Sequence, residues 1–504
     1  MLGKIGAGFC GALACALPID PACCGALPDA ITPSTMPRIG AVDTRFQSYN
    51  IEMVEITGGK FWKPYRQDPA APSDTPPGID SSLYQYRPPI DLANARLRKL
   101  AGALGPAYLR ISGTWANSTY FADSDHAPPA PPFGFNDVLT RMQWRGAIDF
   151  ARSVDARIVT SFATSAGSRD AAGVWTPNQA DRLLRFTRSI GGAIAAAEFM
   201  NEPDLAAIGG VAPGYDAGAY GRDFRIFSEF MRQAAPDTMI LGPGTASEGD
   251  TASDLFAASA SGLNVVSYHF YGAVSERCHG NASPDTALSE DWLSRTDRTL
   301  AFYKRLRDRL APGKPIWLTE TAEAACGGNR WAGSFLDTFR YLDQLGRLAK
   351  SGVGIVMHNT LAASDYGLLD ENTLEPRPNY WGAWLWRQLM GSTVLDAGVP
   401  LQFGLHVYAH CQKGIPGGVT LLVINNDRVA PRALRLSAAS LRYTLDAADL
   451  MDTDVRLNGG PLRLGAADGL PAITGIATAA DTLTFAPATI TFLAIPGAAN
   501  EACH

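Results

Sequence analysis

Eight short, almost wholly apolar runs recur along the chain: Tyr49 to Val54, Tyr108 to Ser112, Arg157 to Ala163, Ala197 to Met200, Met239 to Gly242, Val265 to Tyr271, Ile316 to Thr319 and Val353 to Asn359. Helical periodicity separates most of them, at Leu92 to Leu104, Arg145 to Val154, Asp181 to Ile190, Tyr220 to Ala235, Leu293 to Leu310 and Ser334 to Lys350. A strand that is apolar along its whole length must be covered on both faces, and strands alternating with helices pair in parallel. The pattern predicts an α/β fold, a (β/α)8 TIM barrel over residues 49–394. An open doubly wound sheet is the structural alternative, but no Gly-x-Gly-x-x-Gly follows the first run.

Beyond about residue 395 the helical period disappears. Short apolar or alternating runs such as Thr420 to Ile424, Leu434 to Leu436 and Thr482 to Ala494 are punctuated by Asn425-Asn426-Asp427 and Asn458-Gly459-Gly460. This texture predicts a C-terminal antiparallel β-sandwich over 395–504, to which the segment 31–48 adds an N-terminal strand. Residues 1–30 read as a leader: Lys4 precedes an uncharged stretch, Ile5 to Leu17, too short to span a bilayer. The expected location is secreted or periplasmic, with no membrane span.

A net charge of −6 excludes a nucleic-acid binder working through a basic face. Of eight cysteines, Cys10, Cys15, Cys23 and Cys24 lie in the leader region without Cys-x-x-Cys spacing, so no zinc site is expected. The others pair in an oxidising compartment as Cys411 with Cys503 and Cys278 with Cys326; free buried thiols are the alternative for the second pair. Cys278 and His279 could begin a metal site, but no third ligand follows at a sensible spacing. No metal and no cofactor are expected.

Two of the apolar runs meet carboxylates. Asn201-Glu202-Pro203 follows the fourth, and Glu320 closes the seventh. In a parallel barrel the C-terminal strand ends converge on one face, so residues 118 apart can share a cavity. Retaining glycoside cleavage needs a carboxylic acid to protonate the leaving oxygen and a carboxylate about 5 Å away to attack the anomeric carbon. Glu202 suits the acid/base role, because the Glu320 charge would raise its pKa. Glu320 suits the nucleophile, oriented by Tyr271; Asn201 would bond the adjacent sugar hydroxyl. His269 is as well explained as a hydrogen-bonded core residue as by substrate contact. No Gly-x-Ser-x-Gly elbow favours a serine hydrolase.

Further stretches carry a resemblance. Pro106 to Thr114, Trp317 to Thr321 with Cys326-Gly327-Gly328, Ser364 to Glu371 and Pro378 to Trp381 resemble glycoside hydrolase family 79, the family of heparanase and bacterial β-glucuronidases. The resemblance runs from about residue 45 to the C-terminus and implies Glu202 as acid/base and Glu320 as nucleophile. It also implies a uronate pocket, with the sugar carboxylate held by backbone N–H groups of Cys326 and Gly327 and by Tyr366. Thr114 and Asn201 would contact sugar hydroxyls, and Glu52 stands where the family has an aspartate. Cys326 replaces a loop glycine. The implied substrate is a β-linked glucuronic acid in a heparan-sulfate-type glycosaminoglycan or a related glucuronide.

For a sulfated chain the strand-end loops offer Lys60, Lys63, Arg66, Arg169, Arg277 and Arg330, each of which is individually better explained as a solvated surface charge. The alternatives are an exo-acting enzyme limited to small glucuronides, a retaining barrel glycosidase for neutral sugars of the xylosidase or arabinofuranosidase type, and a carbohydrate-binding protein without turnover. A monomer is expected.

Overall fold

The computed structural model describes residues 30–65 and 81–504. The leader with its four cysteines, and Arg66, lie outside the described residues. The barrel strands are β1 (Gln47–Glu52), β2 (Ala107–Ser112), β3 (Ala156–Ser161), β4 (Ile194–Glu198), β5 (Met239–Thr245), β6 (Val265–Val274), β7 (Ile316–Ala325) and β8 (Ile355–His358). They close into one parallel barrel in sequence order, β8 pairing with β1.

The boundaries depart from the periodicity for local reasons. Strand β1 starts at Gln47, and the chain turns at Met53–Thr57 into one helical turn, where the side chains and backbones of Glu52 and Glu55 cap one another. The helix expected from Arg145 begins at Arg141, because Thr140 and Gln143 form a capping box ahead of it. Helices Asp250–Ser259 and Pro378–Leu389 fill the two connections where the sequence shows no clear period. The second is buried around most of its circumference, with Trp381, Trp384 and Trp386 all in the core, so an amphipathic stripe is not there to be read.

Strand β7 is the largest correction. Glu320 does not end it; the strand runs on to Ala325. Its register against β6 slips between Tyr268 and His269, and against β8 between Leu318 and Thr321. An irregularity of this kind bends the strand and re-aims a side chain, and here it falls at Thr319–Glu320.

The C-terminal region is a nine-stranded sheet with a two-stranded ribbon, Arg432–Leu436 with Asp481–Phe485, on one face. The N-terminal strand Arg38–Ala41 joins its edge by pairing with Met390–Leu395, so this sheet starts before residue 395. Alternate residues of its central strands serve two cores. Leu422, Ile424 and Phe492 pack towards the barrel, while Leu421, Val423, Leu493 and Ile495 pack under the ribbon. Coverage on both faces explains why these antiparallel strands are apolar throughout. Cys411 and Cys503 form a disulfide within this region.

Barrel and sheet are also joined by ions. Asp343, on the helix Phe335–Lys350, accepts from Arg347 Nε at 2.6 Å and the Tyr408 hydroxyl at 2.5 Å, and bonds His406 Nδ1 at 2.5 Å. His406 Nε2 lies 2.8 Å from Glu290, and Arg347 also pairs with Asp297. Among the described residues no helix is long and apolar enough to cross a membrane.

Candidate active site

The site is built around Arg110, which points from the middle of β2 into the barrel and is 1% exposed. Its guanidinium donates from Nε and Nη2 to Glu198 Oε2 at 2.9 and 2.8 Å, from Nη1 to Glu320 Oε2 at 2.7 Å, and from Nη2 to Asn201 Oδ1 at 2.8 Å. The other Glu198 oxygen accepts from the hydroxyls of Ser267 and Thr319. Four strands thus place one cation against two carboxylates with every geometry satisfied, the condition under which a buried ion pair is tolerated.

Beyond Glu198 the chain leaves β4 and passes Asn201, whose backbone N–H and carbonyl are both bonded by the Asn117 side chain, at 2.9 and 2.8 Å. Glu202 follows with a left-handed backbone (φ 45°), and Pro203 opens a short 3-10 turn. The Glu202 Oε1 atom lies 2.9 Å from His269 Nδ1. His269, on β6, also lies 3.8 Å from Glu320 and is completely enclosed. Oxygens of Glu202 and Glu320 and a ring nitrogen of His269 all fall within 4.8 Å of one another. Each of these side chains already has a protein partner: Glu202 and His269 bond one another, and Glu320 accepts from Arg110 and Tyr271.

The two glutamates differ in their surroundings. For Glu202, burial raises the pKa, the Glu320 charge raises it further, and the hydrogen bond from His269 only partly offsets them. For Glu320, burial acts upward but is outweighed by the positive charges of His269 and Arg110 and by the Tyr271 hydroxyl, which donates at 2.6 Å; the net shift is downward. His269 is itself held above the usual histidine value, since the attraction of Glu320 and the bond to Glu202 overcome its burial.

Behind Tyr271 the Asn359 side chain donates to the hydroxyls of Tyr271 and Tyr366, at 3.1 and 3.2 Å. Tyr366 adjoins the loop after β7, where Cys326, Gly327 and Gly328 take φ of 62°, 79° and 88° in succession. Cys326 is bonded to Cys278 as a disulfide, so neither thiol is free and Cys278 is no metal ligand. Glu52 is buried beside Gly113, where any Cβ would strike its carboxylate, and burial together with the Glu320 charge lifts its pKa well above the ordinary value. Thr114 is half-buried at the start of the 3-10 turn after β2.

Of the cations expected to flank the cleft, Arg169 is buried against Asp223 at 2.7 Å, Arg277 against Asp365 at 2.7 Å, and Arg330 lies 2.6 Å from Glu276. Arg277 and Arg330 both stack on Tyr65. The side chains of Arg169 and Arg277 are buried in structural ion pairs, whereas Arg330, paired with Glu276, and Lys60 are exposed.

Arg110, Glu198, Asn117 and Asn359 were not singled out from the sequence. A charge in the middle of an otherwise apolar run, as in Tyr-Leu-Arg-Ile and Ala-Ala-Glu-Phe, is the signal that finds the first two, because such a side chain cannot reach water and must have a partner.

A closed parallel barrel with a glutamate behind β4 and another in β7, both at the C-terminal mouth, has the architecture of the barrel glycosidases. The model of glycosyl hydrolase family 79, N-terminal domain, matches residues 87–346, and the chain belongs to that family. It is 28% identical to Heparanase-like protein 1 of Arabidopsis thaliana over 67% of this chain and 65% of that protein, so the match spans just under two thirds of that relative's length. Heparanase of Mus musculus is 27% identical over 76% of this chain and 82% of its own. The fold is shared with an alpha-L-arabinofuranosidase from Thermotoga maritima at a TM-score of 0.65 and 13% identity, covering 92% of this chain and 99% of that one.

Proposed function

We propose that the protein is a retaining β-glucuronidase, with Glu320 as nucleophile and Glu202 as acid/base. The observation that carries the reading is the electrostatic split between the two glutamates. Arg110, His269 and Tyr271 keep Glu320 ionised, while Glu202 is shifted towards its protonated form with an oxygen within 4.8 Å of Glu320 and His269. This close spacing suits double displacement and leaves no room for a water between the carboxylates.

In the first step a Glu320 oxygen attacks the anomeric carbon as Glu202 gives its proton to the departing glycosidic oxygen. Glycosylation removes the Glu320 charge, so the Glu202 pKa falls and its carboxylate can take a proton from the water that attacks the glycosyl–enzyme. The Glu320 carboxylate then leaves and the pair is reset. Asn201, held by Asn117 and Arg110, is placed beside Glu202 for a sugar hydroxyl, with Thr114 and Glu52 at the rim of the same mouth.

Recognition of the uronate is assigned to the N–H groups of Cys326 and Gly327 with the Tyr366 hydroxyl. Neutral, oriented donors bind a carboxylate without a dedicated arginine. The burial of the Arg169 and Arg277 side chains in ion pairs favours a glucuronide with an uncharged leaving group over a sulfated chain. The two disulfides favour a secreted or periplasmic location.

The test is hydrolysis of an aryl β-glucuronide and of a heparan sulfate chain in parallel, by wild type and Glu320→Gln. Aryl glucuronide cleavage that the variant lacks supports the reading. Cleavage of the chain with falling polymer size would add mid-chain attack. Cleavage of neutral aryl glycosides in preference to the glucuronide would overturn it.

A further inference from the structure

The family resemblance places a glycine where this chain has Cys326, and the disulfide made there has no part in the chemistry of the carboxylate pair. Its position suggests a different role. Cys326 has the left-handed backbone that L-residues other than glycine adopt at a cost of about 1 kcal/mol, and two more left-handed residues follow it. Left free, such a segment would relax. Here it is anchored on both sides: Cys326 O accepts from Ser275 Oγ at 3.2 Å, and Gly327 O accepts from Ser364 Oγ at 2.8 Å.

In a trans peptide the N–H points opposite to the carbonyl, so the Gly327 N–H, one of the two donors assigned to the uronate, is directed away from Ser275, while the bond from Ser364 fixes the carbonyl on its other side. The far end of the tether is itself fixed. Cys278 ends the turn Glu276–Cys278, in which Arg277 pairs with Asp365 and stacks on Tyr65 at 3.8 Å, and the Glu276 N–H donates to Asn329 Oδ1 at 2.9 Å. Below the loop, Glu323 accepts from the N–H groups of Ala324 and Asn329.

We propose that the Cys278–Cys326 disulfide is a specificity-determining element. It holds the Cys326–Gly327 backbone in the one conformation that presents N–H groups to the carboxylate of a uronic acid. The inference rests on the glucuronidase reading. Cys278 is a positioning residue: it touches no substrate and acts through the loop.

The experiment compares wild type with Cys278→Ser and with Cys278→Ser/Cys326→Gly, using kcat and KM on an aryl β-glucuronide and the inhibition constant of free glucuronic acid. In Cys278→Ser, KM and the inhibition constant rise together by about tenfold, the size of one lost hydrogen bond to a charged group, while kcat changes by less than about twofold. In the double variant, glycine adopts the left-handed backbone without strain and most of the affinity returns. A Cys278→Ser protein with unchanged KM, or one that loses kcat rather than affinity, overturns the inference, as does a double variant no better than the single one. A wild type that leaves the glucuronide intact but cleaves a neutral aryl glycoside instead refutes the glucuronidase reading, and the inference falls with it.

Discussion

His406 sits between barrel and sheet and makes a quantitative prediction. Its ring is fully buried, yet Asp343, Glu290 and the bonds to them outweigh the cost of burial and push its pKa up to about 9. Tyr408, Arg347 and Asp297 complete the charged surroundings. A group raised from 6.5 when unfolded to about 9 when folded contributes stability that is fully present below pH 6.5 and is lost as pH rises through 9. At 1.36 kcal/mol per pKa unit the contribution is about 3 kcal/mol. Unfolding entropy of about 2.1 cal/mol/K per residue gives a chain of 504 residues about 1 kcal/mol per degree, so the effect is about 3 °C in melting midpoint. The assay is the melting midpoint of wild type and His406→Gln from pH 6 to 9.5. The gap between them should be widest at pH 6 and narrow by about 3 °C towards pH 9.5. Asp343 adds nothing to this trend, because its lowered pKa places its own loss of stability on the acid side. A gap constant across the range would refute the assignment of a charged His406 to the interface.

Two further predictions concern the chemistry. Glu202→Gln should abolish the alkaline limb of the pH–rate profile, and should slow substrates with poor leaving groups far more than aryl glycosides with acidic phenols, since only the former need a proton in the first step; equal losses on both would count against Glu202 as the acid. Arg110→Met removes the cation 2.7 Å from Glu320 and leaves Glu198 without its partner. The acid limb should move to higher pH, kcat/KM should fall by about two orders of magnitude, and stability by about 3–5 kcal/mol; an unmoved acid limb in a folded variant would show that Arg110 does not set the Glu320 pKa.

The strand count and barrel topology were legible because burial on both faces leaves no polar alternation to confuse with an amphipathic helix. The end of β7 was not. Thr-Glu-Thr-Ala-Glu-Ala-Ala reads as a polar loop, but Glu320 turns inward to Arg110 and Glu323 is enclosed as well, its pKa pushed up to about 8 by burial and by the Asp337 charge. Local pattern cannot show that a carboxylate two positions from alanine finds its donors on other segments. The same limit explains the cations. Arg169, Arg277 and Arg330 look like free strand-end charges until Asp223, Asp365 and Glu276 are seen beside them.

What the sequence does contain is the inventory from which the site's charge balance follows. Four carboxylates, Glu52, Glu198, Glu202 and Glu320, converge on one mouth with Arg110 as the permanent cation. In a low-dielectric enclosure the charges cannot all stand unpaired, so the competition is decided by geometry. Glu198 and Glu320 win the guanidinium, at 2.8 and 2.7 Å. Glu202, turned away by the left-handed backbone before Pro203, bonds His269, and Glu52 takes no hydrogen bond from a cation among the described residues; the pKa values of both rise. The division into one carboxylate held in its charged form and one shifted towards its protonated form, the proposed nucleophile and the proposed acid, is therefore a consequence of where Arg110 can reach. Any substitution that lets it swing from Glu320 towards Glu202 should exchange the two roles' pKa order and silence the enzyme without removing either carboxylate.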